Sequence, residues 1–450
     1  MIFMDAVILS RIQFAANISF HIIFPTISIG LAWFLVYIRG QADKQPNGAW
    51  DMAFKFWVKV FALTFAFGVV SGVTMSFQFG TNWPGYMKTV GAVAGPLLAY
   101  EVLSAFFLEA TFLGIMLFGQ NKVSPAVYKL SVWLVAGGTT LSLFWILALN
   151  SWMHTPAGIE VVDGKVVAND WLAIIFNPSM PYRTVHMLLA SAATASFFVM
   201  GISAFRVLIG ERGEDIQKTL RMASVVAAVV MPLQILAGDI HGLNTHEYQP
   251  AKLAAMEGLW HTESKVPLLL FAVPDEATQS NHYEIKIPQL ASLVITHSLN
   301  GEIRGLDEFP NAHPPVFPVF WGFRVMVGSG MLMLVLSWVT WWFLRQSSSV
   351  PIWLMRVLVP ATFIGWVPTL AGWYTTEIGR QPYLVTGILK TADALGQVSG
   401  TTIFGSLTAY LLLYAILLSV YVTTVFYMAR TGAKLPGHDA SQPSSHALAG

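Results

Sequence analysis

The chain has 450 residues, 55% apolar, 13% aromatic and only 11% charged, about half the charge of a soluble domain. Its net charge of +1 leaves no basic surplus to neutralise phosphates, so nucleic acid is excluded as a partner. The absence of cysteine removes disulfides, thiolate zinc sites, iron–sulfur clusters and thiolate-ligated haem, and leaves His, Met, Glu, Asp or Tyr to hold any redox metal.

A mean hydropathy of +0.60 sustained over this length predicts an all-α, polytopic membrane bundle. A hydrocarbon core needs ~20 apolar residues in helix. Nine such stretches are read at 15–38, 55–78, 94–119, 127–149, 184–207, 219–238, 320–344, 352–375 and 402–428. The N-terminus lacks the basic n-region and cleavage site of a signal peptide, so the first span is expected to be retained. Pro25, Pro96, Pro232, Pro360 and Pro368 fall inside spans, where neighbouring helices can satisfy the freed backbone groups.

Nine spans put the termini on opposite sides. With the N-terminus outside, the inner connections and tail hold thirteen Lys and Arg against ten outside. Six of those ten lie in the two longest loops, where charge counts least, so an outer N-terminus and a cytoplasmic C-terminus are expected. The chain then divides into residues 1–238 with six spans, a long outer loop 239–319, residues 320–430 with three spans, and a tail. The loop is too long for a turn and is expected to be functional. It contains an amphipathic stretch, KLAAMEGLWH (252–261), and a strand-like one, HYEIKIPQL (282–290). From Thr431 the chain is rich in Gly, Pro, Ser and Ala and is expected to be a disordered cytoplasmic tail.

A charge in hydrocarbon costs ~2.5–3.5 kcal/mol even on the lenient insertion scale, so each needs a reason. Of eleven histidines only His21 and His186 fall within the nine stretches. The charges at membrane depth are Lys59, Glu101, Glu109, Asp239, Arg324 and Glu377. In this topology His21, His186, Met326 and Glu377 share the outer level. A set of His, Met and Glu at one depth suits haem ligation between facing helices, although each alone reads as a packing or paired residue. Glu101 and Glu109, eight apart, would stand ~12 Å apart along a regular helix and ~80° apart around it, a spacing that suits a proton relay. A secondary transporter with Glu101, Glu109 and Arg324 as an ion-coupling site is the alternative of a different class.

Several segments together carry a resemblance: LSRIQFA with His21, FQFGTNWPGY (77–86), EVLSAFFLEATFLG (101–114), LNSWMHTP (149–156), Gly238-Asp239, KLAAME (252–257), FRVM (323–326) and GWYTTEIGRQP (372–382). The chain resembles subunit I of the cytochrome bd-type quinol oxidases over nearly its whole length. The resemblance implies a low-spin haem b on His186 and Met326, with Arg324 beside it. It implies a high-spin haem b and a haem d, or a third haem b, on His21 and Glu377, without deciding which residue serves which haem. Trp373 would lie between haems and Arg380 would pair with propionates. Glu101 would stand by the oxygen-reactive haem, with Glu109 as its partner on the proton path. Lys252 and Glu257 of the outer loop, the Q-loop of the family, would serve quinol oxidation; by local spacing alone they read as a surface pair.

The resemblance also implies oxidation of membrane quinol, reduction of O2 to water, and a proton-motive force from proton release and uptake on opposite sides. A subunit II, sometimes a single-span small subunit, and a place in the bacterial cytoplasmic membrane follow from it. The Q-loop is the short form, which is shared by cyanide-insensitive members. Ala110 stands where some relatives carry Ser.

Overall fold

The computed structural model describes residues 5–346 and 350–432. Among them, nine helices are long and apolar enough to cross a membrane: Ala6–Ala42, Ala49–Thr81, Pro84–Phe118, Pro125–His154, Met180–Leu208, Glu214–Tyr248, Val316–Gln346, Ile352–Ile378 and Gly400–Thr431. They are called spans one to nine below. The tail expected beyond Thr431 lies, from residue 433, outside the described residues.

Spans one and five form the centre, with 67% and 72% of their most apolar windows buried, whereas spans seven and nine bury only 17%. Span one packs on spans two and five, span five on span six, and span seven on spans six and eight. Phe24, Ile27, Leu31 and Leu35 of span one meet Trp57, Phe61, Phe197 and Phe198 in the main core. Small residues permit the close approaches. A Cβ on Gly201 of span five would lie 2.1 Å from Thr362 Oγ1 and 2.7 Å from Thr362 Cα, so glycine is required there.

Two spans are irregular. Span eight runs as helix Ile352–Leu358, a 3-10 turn Pro360–Phe363 and helix Trp366–Ile378. Pro360 has no N–H and its ring clashes with the preceding turn, which accounts for the break. Span three is a regular helix to Tyr100, a π turn over Glu101–Phe106, and a regular helix from Phe107.

Several helices outrun the apolar stretches that announced them. Span three begins at Pro84, span four continues to His154, and span six continues to Tyr248. Hydropathy falls off at these ends because polar side chains appear, yet the backbone stays helical. The outer connection is therefore shorter than 239–319 and starts at Gln249.

That connection opens with the helix Pro250–Glu257, closed by Gly258 at φ +65°, a left-handed value that favours glycine. The strand-like stretch is a strand, Ser280–Ile287, antiparallel to Leu268–Asp275. Leu253, Ala255, Leu259, Trp260, Val266 and Ile303 give the loop a core of its own, seated on Val316 and Val319 of span seven. Three further two-stranded ribbons decorate the connections, and the bundle itself is all-α as expected.

Gly201→Val should lower the melting temperature of the purified protein, since forced overpacking costs about 1–3 kcal/mol. Gly40→Ala, where a Cβ meets nothing within 4 Å, should not. Thermal unfolding in one detergent compares the two.

Candidate functional site

One cavity of about 1350 Å³ runs through the bundle and is lined by His21, Glu101, Glu109, His186, Met326, Trp373, Glu377 and Arg380. The volume exceeds the ~300–1,000 Å³ usual for a single small ligand. Lys252 and Glu257 of the loop helix line the same cavity, as does the ion-pairing Arg324's neighbour Phe323. Spans one, three, five, seven and eight thus bring together residues as far apart in sequence as His21 and Glu377, with Arg380 just beyond the end of span eight.

His21 points one ring nitrogen, Nδ1, at Ser71 Oγ of span two (3.0 Å). Ser71 donates to the carbonyls of Phe67 or Gly68, so its oxygen is left to accept from the ring. Nε2 of His21 is then free for the cavity. His186 lies 3.1 Å through Nε2 from Gln234 Nε2, and its buried Nδ1 has no partner among the described residues. His241 of span six stands edge-on to it at 5.7 Å between ring centroids.

Glycines face all three of these ligand candidates. A Cβ on Gly72 would lie 3.2 Å from His21 Cε1, one on Gly238 3.3 Å from His186 Cε1, and one on Gly372 2.7 Å from Met326 Sδ. Side chains there would crowd the rings and the thioether.

Glu377, at the end of span eight, carries the densest set of partners. Its Oε1 accepts from Asn150 Nδ2 (3.0 Å) and lies 3.2 Å from His154 Nε2. Its Oε2 pairs with Arg380, three residues on. Arg183 Nη1 donates to Asn150 Oδ1 (2.9 Å). Arg380 is buried, and its Nε and Nη1 have no partner among the described residues, which leaves two donors for an anionic group.

Lys252 and Glu257 do not form a surface pair. Both are buried, at 4% and 5% exposure. Lys252 Nζ lies 2.9 Å from His154 Nδ1 and also bonds Gln249 Oε1. Burial, with Arg183 nearby, holds its ammonium well below the ordinary lysine range; Glu377 opposes the shift and Arg380 adds to it. Glu257 Oε2 pairs with Arg324 Nη2 (3.1 Å), and Arg324 also donates to the carbonyls of Met256 and Leu269 while lying 3.8 Å over the Phe320 ring. The segment is not a surface helix, because the loop folds back on spans six and seven and both faces of its helix are covered.

Glu101 accepts from Ser142 Oγ (2.7 Å), while buried Glu109 Oε1 has no partner among the described residues. Gly138 of span four makes room for Glu109, since a Cβ there would meet Glu109 Cγ at 2.6 Å. The π turn corrects the regular-helix geometry: one extra residue in a turn reduces the angular offset between the two acids from ~80° to ~20°. Both now face the cavity.

Sequence reading missed His154 and His241, which belong to spans four and six but lie beyond the apolar stretches that define them. The signal available was the motif LNSWMHTP, which places His154 one helical turn after Asn150.

A cavity with apolar walls, uncrowded His and Met ligand candidates and unpartnered guanidinium nitrogens fits haem groups. Fold and site together define a membrane-embedded redox protein, with one cavity lined by residues of the bundle and of the loop helix. The chain belongs to the cytochrome bd terminal oxidase subunit I family, whose sequence profile matches residues 9–433. It is 33% identical to the cytochrome bd ubiquinol oxidase subunit 1 of Bacillus subtilis (97% of this chain, 96% of that one). It is 30% identical to the cytochrome bd-II ubiquinol oxidase subunit 1 of Escherichia coli (95% and 97%). The bd oxidase structure from Geobacillus thermodenitrificans superposes with a TM-score of 0.88 at 30% identity, covering 96% of this chain and 100% of that one. The protein is thus a haem-containing subunit of a terminal respiratory oxidase of the bacterial inner membrane, a quinol:O2 oxidoreductase. Nothing supports the secondary-transporter alternative.

Glu257→Ala should leave the Arg324 guanidinium buried without its counter-charge, at a cost of about 3 kcal/mol. Hydrogen exchange of the loop helix Pro250–Glu257 should rise in that variant, and limited proteolysis should cut the loop faster than in the parent.

Proposed function

We propose that the cavity divides its chemistry by residue: His186 and Met326 hold a low-spin haem b, His21 and Glu377 hold two high-spin haems, one b and the other d or a third b, and Lys252 and Glu257 serve quinol. The observation that carries this is the convergence of all these side chains on one cavity. When bound, the haems would supply electron transfer and oxygen chemistry; a haem held by both His186 and Met326 would suit electron transfer and not oxygen binding.

The protein residues do the rest. Glu257, steadied by Arg324 through Oε2, leaves Oε1 to take a proton from a quinol hydroxyl. Lys252 stands on the same short helix and can donate to the ring oxygen as negative charge develops there. Arg380, with two unpartnered nitrogens, suits a haem propionate. Trp373 lines the cavity one helical turn before Glu377, a place between cofactors. Glu109, facing the cavity deeper in span three, takes protons from the cytoplasmic side and Glu101 passes them to the oxygen site; Ser142 holds Glu101 in place.

With the N-terminus outside, quinol protons leave on the outer side while those for water enter from the cytoplasm. That arrangement separates charge without a pump. Subunit II is the expected partner, with a single-span small subunit as a further one, and the sparsely covered faces of spans seven and nine suit lipid or helical neighbours. The short form of the loop suits the branch that includes cyanide-insensitive oxidases.

A reduced-minus-oxidised spectrum of the purified oxidase tests the assignment. His186→Ala or Met326→Leu should abolish the low-spin haem b signal and quinol oxidation while the high-spin signals remain; an unchanged spectrum rejects that ligand pair. Glu101→Ala should retain haem and slow oxygen reduction by about 10²–10⁴-fold, the usual contribution of a proton-transfer group. Rapid turnover with normal haem content would remove Glu101 from the proton path.

A further inference from the structure

The imidazole of His154 joins two parts of the site that are far apart in sequence. It is the last residue of span four, and its side chain is fully buried. Nε2 lies 3.2 Å from Glu377 Oε1, and Nδ1 lies 2.9 Å from Lys252 Nζ. A buried imidazole costs free energy unless both nitrogens find partners, and here both do. An apolar side chain would fill the same space without that requirement.

The hydrogen bonds also fix the ring's tautomer. Lys252, whether charged or neutral, has at least two N–H donors. One goes to Gln249 Oε1 and another to His154 Nδ1. Nδ1 also lies 3.1 Å from Gln249 Oε1, so it is the acceptor-only carboxylate of Glu377 that places the ring proton on Nε2, where it is donated to Oε1. Asn150, one turn earlier on the same helix face, donates to the same oxygen, and Arg380 takes the other. A carboxylate offers about four lone-pair directions, so three donors leave about one for a metal.

We propose that His154 is a positioning residue: it aims the Glu377 carboxylate at the cavity and ties that aim to Lys252 on the quinol-side helix. The proposal rests on the reading of Glu377 as a haem ligand and Lys252 as part of the quinol site. Groups that orient metal-binding carboxylates this way are worth about 10–100-fold in affinity or activity.

The test uses the purified holoenzyme with subunit II. His154→Ala should alter the absorption and electron paramagnetic resonance signals of a high-spin haem, leave the low-spin signal as it was, and lower kcat by about 10–100-fold with a smaller change in KM for quinol. His154→Gln, whose side-chain amide can still donate to Glu377, should restore most of the high-spin signal. Lys252→Met should shift the same high-spin signal in the parent, and no further in the His154→Ala background.

A His154→Ala enzyme with full haem content and unchanged high-spin signals overturns the inference. If His154→Ala fails to retain haem, His154→Gln decides: a parent-like spectrum supports the donor role, and a spectrum as disturbed as that of the alanine variant overturns it. Glu377→Ala separates the two levels of the reading. If it keeps every high-spin signal, the ligand assignment itself falls; if it loses one while His154→Ala changes nothing, only the role of His154 falls.

Discussion

The carboxylate of Glu377 is where the demands of this protein meet. A charge inside a membrane protein survives only with partners, and Glu377 has Arg380, Asn150 and His154 around it. Those partners have partners in turn: Asn150 is held by Arg183, and His154 by Lys252. The links come from span four (Asn150 and His154), span five (Arg183), the end of span eight (Glu377 and Arg380) and the loop helix (Lys252), so keeping one acid satisfied fixes the relative placement of all four. A polar network of this kind is costly when incomplete, which makes it specify one arrangement of the bundle.

Around that network the bundle is built for access as much as for stability. Spans one and five pack through small residues, and the proline break of span eight lets its Thr362 sit against Gly201. The same economy appears at the cavity wall, where Gly72, Gly238 and Gly372 leave room beside His21, His186 and Met326. Irregular backbone is placed where it serves the cavity: the π turn of span three rotates Glu101 towards the face that Glu109 already occupies. Local backbone irregularity thus supplies the alignment that a regular helix would deny.

The outer loop behaves as a part of the bundle and not as an appendage. Its helix Pro250–Glu257 is buried on both faces, and each of its two charged side chains is bonded to a span. Glu257 answers to Arg324 of span seven and Lys252 to His154 of span four. The loop helix and the Glu377 network are therefore held in one frame, and the loop keeps its own small core around Leu259 and Trp260 to hold that frame in place.

Composition and pattern alone determined a cysteine-free membrane bundle of nine spans and the short set of His, Met, Glu and Arg residues able to do chemistry within it. They did so because hydrophobic length and the cost of buried charge are local properties, legible residue by residue, and because GWYTTEIGRQP and the paired-glutamate helix are specific strings. The tertiary structure alone decided what those properties do not encode. Polar residues end an apolar run without ending a helix, so His154 and His241 fell outside the predicted spans. Burial of Lys252 and Glu257 depends on how the loop folds back over spans six and seven, and the common face of Glu101 and Glu109 depends on a π turn that no hydrophobic period announces. Which groups touch is settled by long-range packing, since the partners of Glu377 lie as many as 227 positions away in the chain.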